Sequence, residues 1–270
     1  MKTKILFTDL DGTLLNTQKE VSKRNREAME QMKQEGHRLV LTTGRSVSSA
    51  KMIAEKLGLL TRGNYIISYN GGTIFEAESN QIILQRSVPL PSVFSLFQAA
   101  REAGMYIQTY QEEKVLSERN SPYLEKYLQF TKMKSQICER IEQILTTPPP
   151  KMIVIDEDLD RLRAFGEKMK ERYVKELDLV YSEPEYQEYC PIGVSKGNAV
   201  KLMCDYLQIP IEQSVAVGDG YNDISMLKEA GVGVAMCNAS SQEVLQSADV
   251  ITEQNNDEDG FAWVVEKFVL

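Results

Sequence analysis

Histidine is almost absent from this chain: His37 is the only one in 270 residues, placed just after Gly36 where a helix should hand over to a strand. A histidine-ligated metal and a histidine base are therefore not expected, and acid–base chemistry falls to carboxylates. Cysteine is also sparse. Cys138, Cys190, Cys204 and Cys237 form no C-x-x-C pair, so neither a zinc site nor a disulfide framework is suggested. Positive charge is in deficit, and a formal net charge of −8 argues against a nucleic-acid or anionic-membrane surface. An anionic substrate would have to be drawn by local groups. Long apolar runs are missing as well: the first is cut at Asp9, too short for a signal peptide or a membrane span, so a cytoplasmic protein is expected. No repeat or low-complexity tract interrupts the chain.

What remains is a soluble globular composition, 42% hydrophobic and 26% charged, in a chain long enough for two cores. Its most informative stretch is Lys4-Ile5-Leu6-Phe7-Thr8-Asp9-Leu10-Asp11-Gly12-Thr13. An apolar run of strand formers ends in two carboxylates two positions apart, which an extended backbone points the same way. Like charges so close need a cation, a shared proton or divided roles in phosphoryl chemistry, and Mg²⁺ suits hard oxygen ligands. The competing reading is a plain Asp-Gly turn after a strand.

The chain then repeats a strand–turn–helix rhythm. A helix over about Ser22–Glu35 leads to the strand Arg38–Thr42 and the turn Thr43-Gly44-Arg45. A second helix carries Ala50, Ile53, Ala54 and Leu57. The strand Tyr65–Tyr69 ends in Asn70-Gly71-Gly72. Apolar, non-alternating strands in such β-turn-α steps imply a parallel sheet covered on both faces. The rhythm changes between about Leu84 and Tyr189. Strands are expected there at Ile82–Arg86, Tyr106–Thr109, Met152–Ile155 and Leu179–Tyr181, with helices near Val93–Ala103, Gln136–Leu145 and Leu159–Arg172. Pro148-Pro149-Pro150 reads as a rigid turn inside this segment, and Glu188 as an exposed strand glutamate. The Met residues and Trp263 read as core. The rhythm returns with a helix from Lys196 to Tyr206, the strand Ser214–Val217, the turn Gly218-Asp219-Gly220-Tyr221-Asn222-Asp223, strands at Gly231–Ala235 and Asp249–Thr252, and a closing helix over Asp257–Phe268. The fold class expected is α/β: a doubly wound parallel-sheet core formed by residues 1–83 and 190–270, with an α+β domain inserted at 84–189.

Four segments in order, Asp9-Leu10-Asp11-Gly12-Thr13, Thr43, Lys196 and Gly218–Asp223, resemble the four motifs of the haloacid dehalogenase-like (HAD) phosphatases. Thr42-Thr43-Gly44-Arg45, Tyr69-Asn70-Gly71, Ser195-Lys196-Gly197, Asn222-Asp223-Ile224, Gly233–Met236 with Asn238-Ala239, and Glu258-Asp259-Gly260 are similar to the Cof-type sugar-phosphate phosphatases, whose cap is inserted between the second and third motifs. Gly72 and Cys237 are small departures from that pattern.

The resemblance implies a Mg²⁺-dependent phosphatase of small phosphorylated metabolites, chiefly sugar phosphates, working through an aspartyl phosphate. Asp9 would be the nucleophile and Asp11 the general acid and base. Mg²⁺ would be held by Asp9, the backbone carbonyl of Asp11 and Asp219, with Asp223 binding a metal water or orienting Lys196. Thr43, Gly44, Lys196 and Asn222 would hold the phosphate. Asn70 is a further candidate, and Arg45 would meet substrate or a surface carboxylate. The inserted cap would close over the site and read the leaving group, through residues that no motif identifies. Two alternatives remain: a phosphotransferase or mutase acting on sugar phosphates, and a non-catalytic phosphate-responsive module. Oligomeric state is not legible.

Overall fold

Apolar strands too short to be stable alone are joined here by helices whose caps are written in the sequence. The computed structural model describes residues 2–270. They divide into two compact units.

The first unit comprises residues 2–44, Ala50–Leu84 and Ser195–Leu270. Its strands are β1 (Ile5–Thr8), β2 (Arg38–Thr42), β3 (Tyr65–Ser68), β4 (Thr73–Glu76) and β5 (Ile82–Gln85), and, from the far end of the chain, three strands whose numbers follow those of the second unit. Helix α1 (Lys23–Gln34) is capped by Ser22, whose side chain accepts from the Asn25 N–H, and α2 (Val47–Lys56) follows β2.

The second unit, Arg45–Ser49 with Gln85–Val194, holds α3 (Leu90–Glu102), β6 (Tyr106–Gln111), β7 (Lys114–Ser117), α4 (Pro122–Thr131), β8 (Lys134–Ile137), β9 (Met152–Ile155), α5 (Leu159–Arg172), β10 (Leu177–Glu183) and β11 (Tyr186–Pro191). Its sheet runs β10-β11-β9-β6-β7-β8 and is antiparallel except for the β7–β8 pair. Leu96, Phe97 and Ala100 of α3 pack with Leu162, Phe165 and Met169 of α5 and with Met152, Val154 and Tyr189 of the sheet in one core.

The first unit is completed by α6 (Lys196–Leu207), β12 (Ser214–Gly218), α7 (Ile224–Glu229), β13 (Val232–Ala235), α8 (Gln242–Gln246), β14 (Val250–Ile251) and α9 (Gly260–Val264), with one turn of π-helix at Val265–Val269. Its sheet has the order β14-β13-β12-β1-β2-β3-β4-β5 and is parallel from β14 to β3. The α/β fold class is thus the one the sequence predicts. Ile5 and Phe7 share a core with Val200 and Met203 of α6, while Leu6, on the alternate face of β1, is also fully buried. Strand order reverses between β1 and β12, paired in register Thr8↔Val217. In open α/β sheets, ligands bind beyond the carboxyl ends of the strands at such a switch point.

Several expected elements differ. No helix follows β3: a single 3₁₀ turn, Tyr69–Gly71, reverses the chain into antiparallel β4. The strand expected at Ile82–Arg86 is the edge of the first unit's sheet. The helix expected over Gln136–Leu145 is replaced by β8 and one 3₁₀ turn at Ile141–Gln143, because pairing with β7 holds Ser135–Ile137 extended. Glu188 is buried, its charge matched by Lys151. Met52 is 39% exposed, since Ala50 and Ala54 take the inward face of α2, and Trp263 is only half-buried. Among the described residues no helix is long and apolar enough to cross a membrane.

Candidate active site

Asp9 is the first residue past β1, and its N–H continues the sheet by donating to the Val217 carbonyl at 3.0 Å. Asp219 is the first past β12, so parallel pairing alone brings the two carboxylates to neighbouring strand ends. Asp223 returns toward them from one turn further: its Oδ2 accepts from the N–H groups of Asp219 (2.9 Å) and Gly220 (2.8 Å). Its other oxygen points at Lys196. That lysine is the first residue of α6, presented by the Ser195 cap, whose hydroxyl accepts from the Asn198 N–H at 3.1 Å. Lys196 Nζ lies 2.5 Å from Asp9 Oδ1 and 2.5 Å from Asp223 Oδ1, with all three side chains removed from solvent.

The electrostatics are uneven. Burial raises the Asp9 carboxyl to about 7; Lys196 opposes the shift, while Asp223 and Asp11 add to it. Asp219 is pushed well above the carboxylate range by burial and by the charges of Asp9 and Asp223, against the hydrogen bond that Thr13 Oγ1 donates to its Oδ1 at 2.6 Å. Burial works against the charge on Lys196, but Asp223 and Asp9 outweigh it and hold the ammonium protonated. One lysine thus faces three carboxylates, and negative charge is left over.

Asp9, Asp219 and Asp223 each place one oxygen within 4.8 Å of the others. This hard, oxygen-only set with unbalanced negative charge fits a divalent cation of the Mg²⁺ type. The Asp11 carboxylate stands outside that group. It pairs at 2.8 Å with Lys19, a residue the sequence reading passed over, brought back by the turn in which Lys19 N–H donates to the Asn16 carbonyl. Asn238, quoted for the resemblance but given no role, donates from Nδ2 to the Gly12 carbonyl at 2.8 Å and braces the loop.

Thr43 is buried at the end of β2. Its N–H donates to the Ile67 carbonyl (2.8 Å) and its carbonyl accepts from Asn70 N–H (3.0 Å). Asn222 Nδ2 donates to Asn70 Oδ1 at 2.9 Å. Gly44, Asn70 and Asn222 therefore form one group beside Thr43. Arg45 belongs to the second unit, where its guanidinium lies 4.6 Å from the centre of the Phe130 ring and donates to Ser49 Oγ at 3.0 Å.

With this geometry in hand, the chain can be set beside known proteins. Residues 6–265 match the family model of haloacid dehalogenase-like hydrolases. A Bacillus subtilis (strain 168) 5-amino-6-(5-phospho-D-ribitylamino)uracil phosphatase is 30% identical over 99% of this chain and 96% of its own length. The pyridoxal phosphate phosphatase YbhA of Escherichia coli (strain K12) is 26% identical over 95% of this chain and 96% of its own. A crystal structure of a haloacid dehalogenase-like hydrolase from Bacteroides thetaiotaomicron superimposes with a TM-score of 0.87 at 35% identity, covering 98% of this chain and 99% of that one.

Proposed function

The chain belongs to the haloacid dehalogenase-like hydrolase family, and on that premise we propose that it is a Mg²⁺-dependent phosphatase of small phosphorylated metabolites, with sugar and polyol phosphates as the substrate class. One observation carries this reading: a buried lysine bridges two carboxylates at the switch point, with a third carboxylate within 4.8 Å, where a divalent cation would offset the surplus of acidic groups and let a phosphate dianion approach.

Asp9 is the nucleophile. Its carboxylate attacks phosphorus, the bond from phosphorus to the ester oxygen breaks, and Asp11 gives a proton to the departing alkoxide. Asp11 then takes a proton from the water that attacks the aspartyl phosphate; the acyl phosphate bond breaks, releasing inorganic phosphate and restoring the Asp9 carboxylate. Lys196 holds one oxygen of Asp9 in place and presents a compact charge to the phosphoryl group. Thr43 and the Gly44 N–H hold phosphoryl oxygens, and Asn222 donates to the same group. Asp9, Asp219 and the Asp11 carbonyl would hold the Mg²⁺, with Asp223 fixing Lys196 and the Asp219 backbone. When bound, the metal offsets carboxylate–phosphate repulsion and draws charge from the transferring group. Residues 84–189 are the part of the chain to which this reading gives substrate selection. The ribityl phosphate named for the B. subtilis relative supports a polyol phosphate class, and a cytoplasmic location is part of the same proposal.

The test is phosphate release from a panel of sugar, polyol and other small phosphate esters, with and without Mg²⁺, for the wild type and Asp9→Asn. Mg²⁺-dependent turnover that vanishes in Asp9→Asn supports the mechanism. Folded, Mg²⁺-binding protein that releases phosphate from no ester refutes it.

A further inference from the structure

The turn after β3 touches the other phosphate-site loops of its unit. Asn70 stands at φ 56°, ψ 29°, in the left-handed region, and is only 1% exposed. An asparagine tolerates that backbone, but nothing in the turn itself requires its side chain. The surroundings do. Asn70 N–H donates to the Thr43 carbonyl at 3.0 Å, and Oδ1 accepts from Asn222 Nδ2 at 2.9 Å. The same Oδ1 would lie 3.0 Å from a Cβ at Gly44, so a side chain there would press on Asn70 and displace its amide by a few tenths of an ångström. The next residue, Gly71, has φ +106°, and a Cβ there would stand 2.6 Å from the carbonyl oxygen of Ser195, the cap that presents Lys196. Loops from three separate strand ends or helix starts are thus braced on two consecutive residues, Asn70 and Gly71.

We propose that Asn70 is a positioning residue of the phosphate site, acting through Asn222 and the Thr43–Gly44 backbone, with the Tyr69–Gly71 turn as the fixed point of the assembly. This deepens the phosphatase reading and rests on it for the identity of the anion. Asn70 Oδ1 fixes the side chain of Asn222 by holding one of its amide hydrogens, so that the other is already aimed when phosphate arrives. A donor aimed before binding loses little rotamer freedom at binding, which is the source of its effect.

The experiment is a double-mutant cycle on the affinity for inorganic phosphate, measured calorimetrically in the presence of Mg²⁺ on the full chain, with Asn70→Gly, Asn222→Ala and the double variant. Glycine keeps the positive φ, so the backbone at 70 stays accessible. Each single variant is expected to bind phosphate about tenfold more weakly, and the double variant no more than about twofold more weakly than the poorer single, because both remove one interaction. A purely structural role for Asn70 would instead make the two losses multiply. Gly71→Ala, which meets Ser195, is expected to weaken phosphate binding through Lys196 in either background. Multiplying losses, wild-type affinity in Asn70→Gly, or no phosphate binding by the wild type would each overturn the proposal. Phosphate binding with the expected coupling, in a protein that hydrolyses no ester, would refute the phosphatase reading alone.

Discussion

Asp223 and Lys196, 27 residues apart in sequence, meet at 2.5 Å with neither side chain in contact with solvent. Asp223 also closes its own turn through the Asp219 and Gly220 N–H groups, so one carboxylate ties the lysine to the loop that carries Asp219. Asp223→Asn keeps the shape and an acceptor for the turn while removing the charge. It is expected to lower kcat/KM by about 10–100-fold, the usual cost of losing a partner behind a functional group. Both variants leave Lys196 short of one anion, but Asp223→Ala also leaves the Asp219 and Gly220 N–H groups without an acceptor, so it should be about 1–3 kcal/mol less stable than Asp223→Asn in urea denaturation. Equal stability of the two variants would show that the turn bonds carry nothing.

The crowding of Asp9, Asp219 and Asp223 within 4.8 Å sets the sign of a second expectation. Without a divalent cation, Asp219 must either take up a proton on folding or add a third like charge that Lys196 cannot match, and both cost stability at neutral pH. Asp219→Asn should therefore raise the melting temperature of the metal-free protein. Mg²⁺ should raise that of the wild type, by adding RT ln(1 + [Mg²⁺]/Kd) to its stability, about 2.7 kcal/mol at a hundredfold excess over Kd. The same addition should barely move Asp219→Asn. Thermal denaturation with chelator and with Mg²⁺ decides; a metal-free variant less stable than the wild type would refute the account.

The positions of Asp9 and Asp219 were legible because each follows an apolar strand, and parallel pairing of β1 with β12 needs only the strand order to bring them together. Lys196 was legible because it opens a helix and matches the third motif of the family the chain resembles. What was hidden depended on partners distant in the chain. Residues 136–145 carry helical spacing, yet β7 takes Ser135–Ile137 into a sheet. Lys19 reaches Asp11 only because the Asn16–Lys19 turn folds back. Glu188 reads as a solvated strand residue until Lys151, 37 positions earlier, is seen against it.

His37 is the only histidine, so one imidazole signal reports its titration without assignment. It is buried, with Nδ1 accepting from the Lys4 N–H at 3.1 Å, and burial lowers its pKa below 6.5. The folded protein holds the neutral ring more firmly than the unfolded chain does. Stability from this site is therefore fully present above pH 6.5 and is lost as pH falls through the folded pKa. An NMR titration should place the midpoint below 6.5, and His37→Gln should flatten that part of the stability profile. A midpoint above 6.5 would reverse the sign.

In the second unit, Lys151 Nζ lies 2.7 Å from Glu188 Oε2, and Ser182 donates to Glu188 Oε1 at 2.7 Å. The two charged side chains are 2% and 3% exposed, so neither can turn to water if its partner is lost. Lys151→Met or Glu188→Leu alone should cost about 3–5 kcal/mol, most of it from the charge left behind. Replacing both together, as Lys151→Met with Glu188→Leu, removes the stranded charge along with the attraction and should recover most of that loss, as buried pairs exchanged for apolar side chains of similar volume do. Urea denaturation of the three variants tests this. A double variant that loses the sum of the two single changes would mean that the side chains act independently, and that their 2.7 Å contact contributes nothing to the stability of this sheet.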